Sequence, residues 1–341
     1  MGRKMLFVGA LLAASLAMAA VSSGPATAQT YTFKWAGRYS KDSVQAKVME
    51  QYFMTRVTEL SKGRIKWDYY PHDQLAGMNQ MLHAVGGGTA DFGMLIPAIY
   101  TGKIPVIGAQ DLPFLFDADV AGHIKLAAAM MAQPEYRNAW EKFGVKLIGG
   151  DSQGTQSFYF KEPLTKLEDF KGRKIRSAGA LQSATVKALG GAAQSLASPE
   201  VYLALQTGVL DGTMFQPDSA VENRLYEVTK YAVIPSISVS GYTTARIANA
   251  KVWNSLPADL QKIIMQAEQD TQKNSIKMLP AAEEHAIKTL EAKGMTIYRV
   301  PRAENLRWRD ATRHVWDAWE KRVGAPGKAL VDFVLKELAR K

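Results

Sequence analysis

Cysteine is absent from all 341 residues. That excludes a disulfide framework and thiol-based nucleophilic catalysis. Histidine is scarce: His72, His83, His123, His285 and His314 are dispersed, and none falls in a His-Glu-x-x-His or comparable metal-ligand spacing. No Gly-x-Ser-x-Gly elbow occurs. Gly86-Gly87-Gly88-Thr89 lacks the Gly-Lys-Ser/Thr ending of a phosphate loop and reads as a helix terminator. The carboxylate pairs Glu168-Asp169 and Glu283-Glu284 fall beside turn or helix signals and read as solvated faces. No catalytic constellation is visible, and no metal or cofactor is expected.

Long hydrophobic runs are missing too. The apolar stretch Leu6 to Ala20 is shorter than the roughly 18–20 residues of a spanning helix, and nothing later is longer. With Arg3-Lys4 before it and Ala26-Thr27-Ala28 after it, it reads as a secretory signal peptide over residues 1–28, cleaved before Gln29. A soluble, periplasmic mature chain is the expectation. Without Arg3 and Lys4, 40 basic and 32 acidic side chains leave a net charge of +8. These charges are scattered, with no block of five or more, so nucleic acid is not an expected partner. A modest attraction for anionic solutes fits them better.

What is present is a repeating rhythm. Strand-like alternation at Tyr31–Ala36 and Ile65–Tyr70 brackets helical spacing over Ser43–Leu60. A short helix at Met78–Val85 and a strand at Ala90–Leu95 follow. Later come strands at Val145–Ile148, Gln156–Phe160, Lys174–Ser177 and Thr213–Gln216, with helices at Ala180–Leu189 and Pro199–Leu205. Such alternation implies parallel strands covered by helices. Two α/β lobes are expected, joined near Gly149–Gln153 and again near Ser238–Thr243. Lobe I takes residues 29–152 with about 242–280 returning to it; lobe II takes 153–241 with about 281–323 packing near it. A long helix runs from Pro257 toward Gly294, kinked or split at Pro280. Residues 324–341 supply a C-terminal helix. Trp308, Trp316 and Trp319 read either as core or as a partner-docking or homodimer face.

Several ordered stretches resemble the substrate-binding subunits of tripartite ATP-independent periplasmic (TRAP) transporters. They are Gly63-Arg64-Ile65-Lys66-Trp67, Pro71-His72-Asp73-Gln74-Leu75, Asp111-Leu112-Pro113-Phe114-Leu115-Phe116, Leu167 to Arg176, and Glu200 to Gly212. The resemblance covers essentially the whole mature chain. It implies an α/β, type II-like two-lobed binding protein with a hinge, an interlobe ligand cleft and a long helix in its C-terminal half. It also implies delivery of a small-molecule carboxylate to TRAP membrane permease subunits, with Arg176 making a paired hydrogen bond to that carboxylate. A receptor for an ATP-driven importer or a sensor kinase is the neighbouring reading; a secreted hydrolase or lyase on a similar fold is the reading from another class.

Arg176 suits the role because a planar, always-charged guanidinium grips a carboxylate bidentately. Gln156 offers an amide on the strand leaving the first hinge. Phe215 and Gln216 follow Asp211-Gly212, where relatives place cleft residues; some of those bind a cation through a Glu that this chain lacks. Tyr39 and Tyr100 are expected to face the cleft from the other lobe. One Arg with amides and aromatics suggests a monocarboxylate with an apolar or aromatic body, since a second full charge needs a second cation. Arg38 and Lys41 are the candidates for one.

Overall fold

A computed structural model describes residues 29–241 and 243–340. The leader expected over residues 1–28 lies outside the described residues. Among the described residues are eleven strands: β1 (Tyr31–Ala36), β2 (Ile65–Tyr70), β3 (Phe92–Leu95), β4 (Val145–Ser152), β5 (Ser157–Phe160), β6 (Lys174–Ser177), β7 (Ala192–Ser195), β8 (Gly212–Phe215), β9 (Tyr231–Ile234), β10 (Thr243–Asn249) and β11 (Thr296–Arg299). They form two sheets, ordered β2-β1-β3-β10-β4 and β11-β9-β5-β8-β6-β7. In the first, β1 is parallel to β2 and β3, and β10 lies antiparallel between β3 and β4. In the second, β6 is parallel to β7 and β8, while β5 runs antiparallel to β8 and β9.

Burial explains the strand sequences. β1 alternates, with Phe33 and Trp35 inside and Thr32 and Lys34 outside. By contrast β3, β5 and β8 are buried at every position, as strands covered on both faces must be. The first core packs aromatic rings edge to face: Trp35 and Trp67 lie 5.6 Å apart, Trp67 and Phe92 5.2 Å. The second uses Phe158, Phe170 and Trp308, with Phe170 and Trp308 rings 5.0 Å apart.

The first helix is wound differently from the expected continuous α-helix. Ala46–Gln51 is π-helical and Tyr52–Leu60 α-helical. The wider turn buries Glu50, whose carboxylate accepts from the Arg38 amide and the Tyr69 hydroxyl, both at 2.7 Å.

The chain passes from β4 to β5 through residues 153–156 and returns between β9 and β10. A further link is the 35-residue helix Ala258–Ala292, which continues unbroken through Pro280. No split occurs there because both halves are clamped: Leu279 packs in the first core, Ile287 and Leu290 in the second. The carbonyl of Ile276 forgoes its intrahelical donor in exchange. Helix Arg302–Val323 divides its packing in a way the sequence reading did not anticipate. Trp308 joins the second core, whereas Trp316 and Trp319 join a cluster dominated by the first lobe. Their indole N–H groups donate to the carbonyls of Pro113 and Pro105. All three tryptophans are buried and pack as core, the first of the two readings the sequence allowed.

Candidate ligand site between the lobes

Parallel strands in open α/β sheets present ligand sites at their carboxyl ends. β6 ends at Arg176-Ser177 and β8 at Phe215, and Arg176 pairs in register with Thr213. Arg176 is only 6% exposed. Leu196 and Phe215 help to fix its guanidinium. Nε donates to the Leu196 carbonyl at 3.0 Å, and the guanidinium carbon sits 4.8 Å from the centre of the Phe215 ring. A cation over an aromatic face is held there electrostatically. The sequence-selected Arg176 and Phe215 are thus one unit.

Gln216 follows directly, as the residue before helix Pro217–Glu222. Its side chain is buried, and its Nε2 donor has no hydrogen-bond partner among the described residues. A buried amide left without a partner costs free energy unless a ligand or water meets it. Asp218, two residues on and second in the helix, has its pKa pushed up to about 7 by burial, with Glu222 and Glu283 adding to the effect.

Gln156 is occupied by the protein. Its Oε1 accepts from Ser240 Oγ at 2.9 Å and from Gln182 Nε2 at 3.3 Å, while its backbone N–H donates to Ser238 Oγ at 3.0 Å. Gln182 Oε1 in turn accepts from the Ala178 amide just after β6. The amide therefore ties both interlobe connections to the loop that follows Arg176.

The two tyrosines part company. Tyr39 is half-buried after β1, with the Arg38 guanidinium 5.6 Å from its ring centre. Tyr100 departs from the expectation of a cleft-facing phenol. Its ring is buried in the core, and its hydroxyl donates to the Met78 carbonyl at 2.6 Å and accepts from the Leu82 amide. The hydroxyl is spent on first-lobe backbone. Of the candidate second cations, Arg38 is salt-bridged to Asp73 at 3.1 Å. Its charge also opposes the upward shift that burial imposes on Glu222 of the other lobe. Lys41 lines a separate groove with Trp67 and Tyr69.

Sequence reasoning missed two groups. Glu283, read as a solvated face, accepts from the Thr155 amide at 2.8 Å and from the Thr155 hydroxyl, and burial raises its pKa. This pins the long helix to the β4–β5 connection. Arg246, fully buried in β10, donates to Asp151 Oδ2 at 2.9 Å and to both carboxylate oxygens of Glu268. One guanidinium thus joins β4, β10 and the long helix. No local signal marked it, since Thr243-Thr244 and Asn249 make the strand look half-exposed.

The sequence model of bacterial extracellular solute-binding protein family 7, DctP, matches residues 36–322. The chain belongs to this family. Its members are the solute receptors of TRAP transporters, and the two-sheet architecture described above is theirs. Over 337 residues the receptor is 28% identical to the C4-dicarboxylate-binding periplasmic protein DctP of Rhodobacter capsulatus, covering 97% of this chain and 98% of the relative. It superposes on the Bordetella pertussis extracytoplasmic solute receptor DctP7, which binds pyroglutamic acid, with a TM-score of 0.80 at 20% identity, covering 89% and 99% of the two chains. A TRAP solute-binding protein from Rhodoferax ferrireducens in complex with copurified benzoate gives 0.80 at 22% identity, covering 91% and 98%. At such identities the structures speak for the fold.

Proposed function

We propose that this receptor binds an organic monocarboxylate through Arg176 between its lobes and delivers it, without chemical turnover, to TRAP membrane permease subunits. It works in the periplasm after loss of a leader cleaved near Ala28-Gln29. The observation that carries the reading is the setting of Arg176: buried, anchored at Nε by Leu196 and placed over the Phe215 ring. A guanidinium fixed in this way is pre-organised for a carboxylate, so little rotamer freedom is lost on binding. The unmatched donor of Gln216 supports a ligand oxygen beside it. A single full charge is favoured because Arg38, a first-lobe cation whose charge acts on Glu222 of the second lobe, is already paired with Asp73.

Related proteins span a C4-dicarboxylate, pyroglutamate and benzoate, so the family tolerates both charge states and ring systems. Titration calorimetry with benzoate, pyroglutamate and succinate tests the reading. Arg176→Ala is expected to weaken carboxylate binding by ~2–5 kcal/mol, about 30- to 5,000-fold, with circular dichroism unchanged. Wild-type affinity in that variant would remove Arg176 from the site. Succinate binding tenfold tighter than either monocarboxylate would overturn the single-charge reading.

A further inference from the structure

A groove of about 600 Å³ runs between helix Ala180–Ala188 and helix Arg302–Val323. Its floor is apolar, with Ala184, Ala188 and Ala318 leaving room beside Leu181 and Trp319. Its rim carries Lys187, His314 and Arg322, and no acidic residue lines it among the described residues.

The placement of the walls matters more than their composition. Helix Ala180–Ala188 belongs to the second lobe and starts four residues after Arg176, so its position is set by the segment that binds ligand. The half of the facing helix that lines the groove is anchored to first-lobe backbone through Trp316 on Pro113 and Trp319 on Pro105, although its start packs through Trp308 in the second core. Between them, Leu181 and Trp319 both close on Gly108 of the first lobe, where an added Cβ would lie 2.9 Å and 2.8 Å from their atoms. The groove therefore has this shape only while the second-lobe helix is seated on the first lobe. Separating the lobes would part its walls.

We infer that this groove is the docking site for an acid-flanked apolar segment of the membrane permease, which thereby recognises the receptor with its lobes together. The inference rests on the permease partnership proposed above and adds the surface that serves it. Charge complementarity sets the chemistry of the occupant: a cationic rim around an apolar floor favours apolar side chains bracketed by Asp or Glu and repels basic segments. A second copy of this chain suits it less, because a mature net charge of +8 opposes self-association. Groove shape coupled to lobe position also serves a partner that must tell a closed receptor from an open one, which a second copy need not do.

The test measures binding of the purified, detergent-solubilised TRAP permease to the immobilised receptor. Ala184→Trp, which fills the groove, and the exposed charge reversals Lys187→Glu and Arg322→Glu are each expected to weaken permease binding at least tenfold. Lys288→Glu, an exposed reversal on the long helix, is expected to leave it unchanged. Unaltered permease affinity in the two charge reversals overturns the proposal even if Ala184→Trp fails to fold. Sedimentation of the receptor alone follows the competing occupant: a wild-type dimer dissociated by the same substitutions would assign the groove to a second copy and overturn it too. Failure of the wild-type receptor to bind permease refutes the transport partnership itself, and with it the groove assignment. Carboxylate titration of the same variants reports on the ligand site separately.

Discussion

Arg246 is the point at which a single substitution does most damage. Its side chain is fully buried and holds Asp151 at the end of β4 and Glu268 on the long helix. Arg246→Met keeps the volume and removes the charge, leaving two buried carboxyl groups facing each other. Breaking a buried ion pair by removing one partner costs about 3–5 kcal/mol. For roughly 310 residues, the chain without the expected leader, the unfolding entropy is about 0.65 kcal/mol per kelvin, so a loss of about 4 kcal/mol lowers Tm by about 6 °C. The loss is also pH-dependent. Burial raises the Asp151 pKa, Glu268 raises it further, and Arg246 opposes both. Without the Arg, the folded-state pKa of Asp151 moves further above its unfolded value, so stability is lost as pH rises through that window. Differential scanning calorimetry at pH 5 and pH 8 should therefore show the larger deficit at pH 8. Adding Asp151→Asn and Glu268→Gln to Arg246→Met should recover most of it. A variant as stable as wild type at pH 8, or a deficit that ignores pH, would refute the ionic account of this cluster.

Burial pushes the pKa of His123 down to about 4, against a slight opposing effect from the Gly241 backbone. The unfolded chain takes up a proton near pH 6.5 that the folded chain refuses, so His123 costs up to about 3 kcal/mol of stability as pH falls from 6.5 to 4. In urea titrations His123→Phe, which can keep the stack on Phe116, should gain stability relative to wild type at pH 4.5 over pH 7; an unchanged difference refutes this. Trp308→Ala should destabilise by about 3–5 kcal/mol by opening a cavity against Phe158 and Phe170, with Arg176-dependent carboxylate affinity retained by the folded fraction. A near-neutral effect in denaturant would mean that the second core does not rest on this indole.

Local pattern sufficed where one face of an element meets water. β1 and β2 alternate, and β6 was legible as a short strand carrying one Arg. It failed for β10, because a strand buried at all seven positions shows no period of two and its Arg looks like a surface residue. The partners of Arg246 come from strands and helices far along the chain, as does Thr155 for Glu283; no window of sequence brings them together. Tyr100 illustrates the same limit. An aromatic after a strand end has the right address for a cleft, but tertiary contact with Met78 and Leu82 decided its direction. Arg176 stood out by its motif as a candidate, whereas its contacts Leu196 and Phe215 only become neighbours once β6, β7 and β8 are side by side.

The antiparallel strand β10 has a consequence for the order in which the molecule can be built. It occupies the slot between β3 and β4, yet it is the last strand of its sheet to leave the ribosome or cross the membrane. Until residue 249 has emerged, β3 and β4 each present an open edge, and Asp151 waits without the cation that neutralises it. The entire second sheet except β11 must be on the far side before the first can close. A nascent chain halted anywhere short of that point carries two unpaired strand edges and an incomplete core, the condition in which chaperone capture or aggregation is decided. The strand order thus leaves the first lobe no way to finish folding before most of the second has been made.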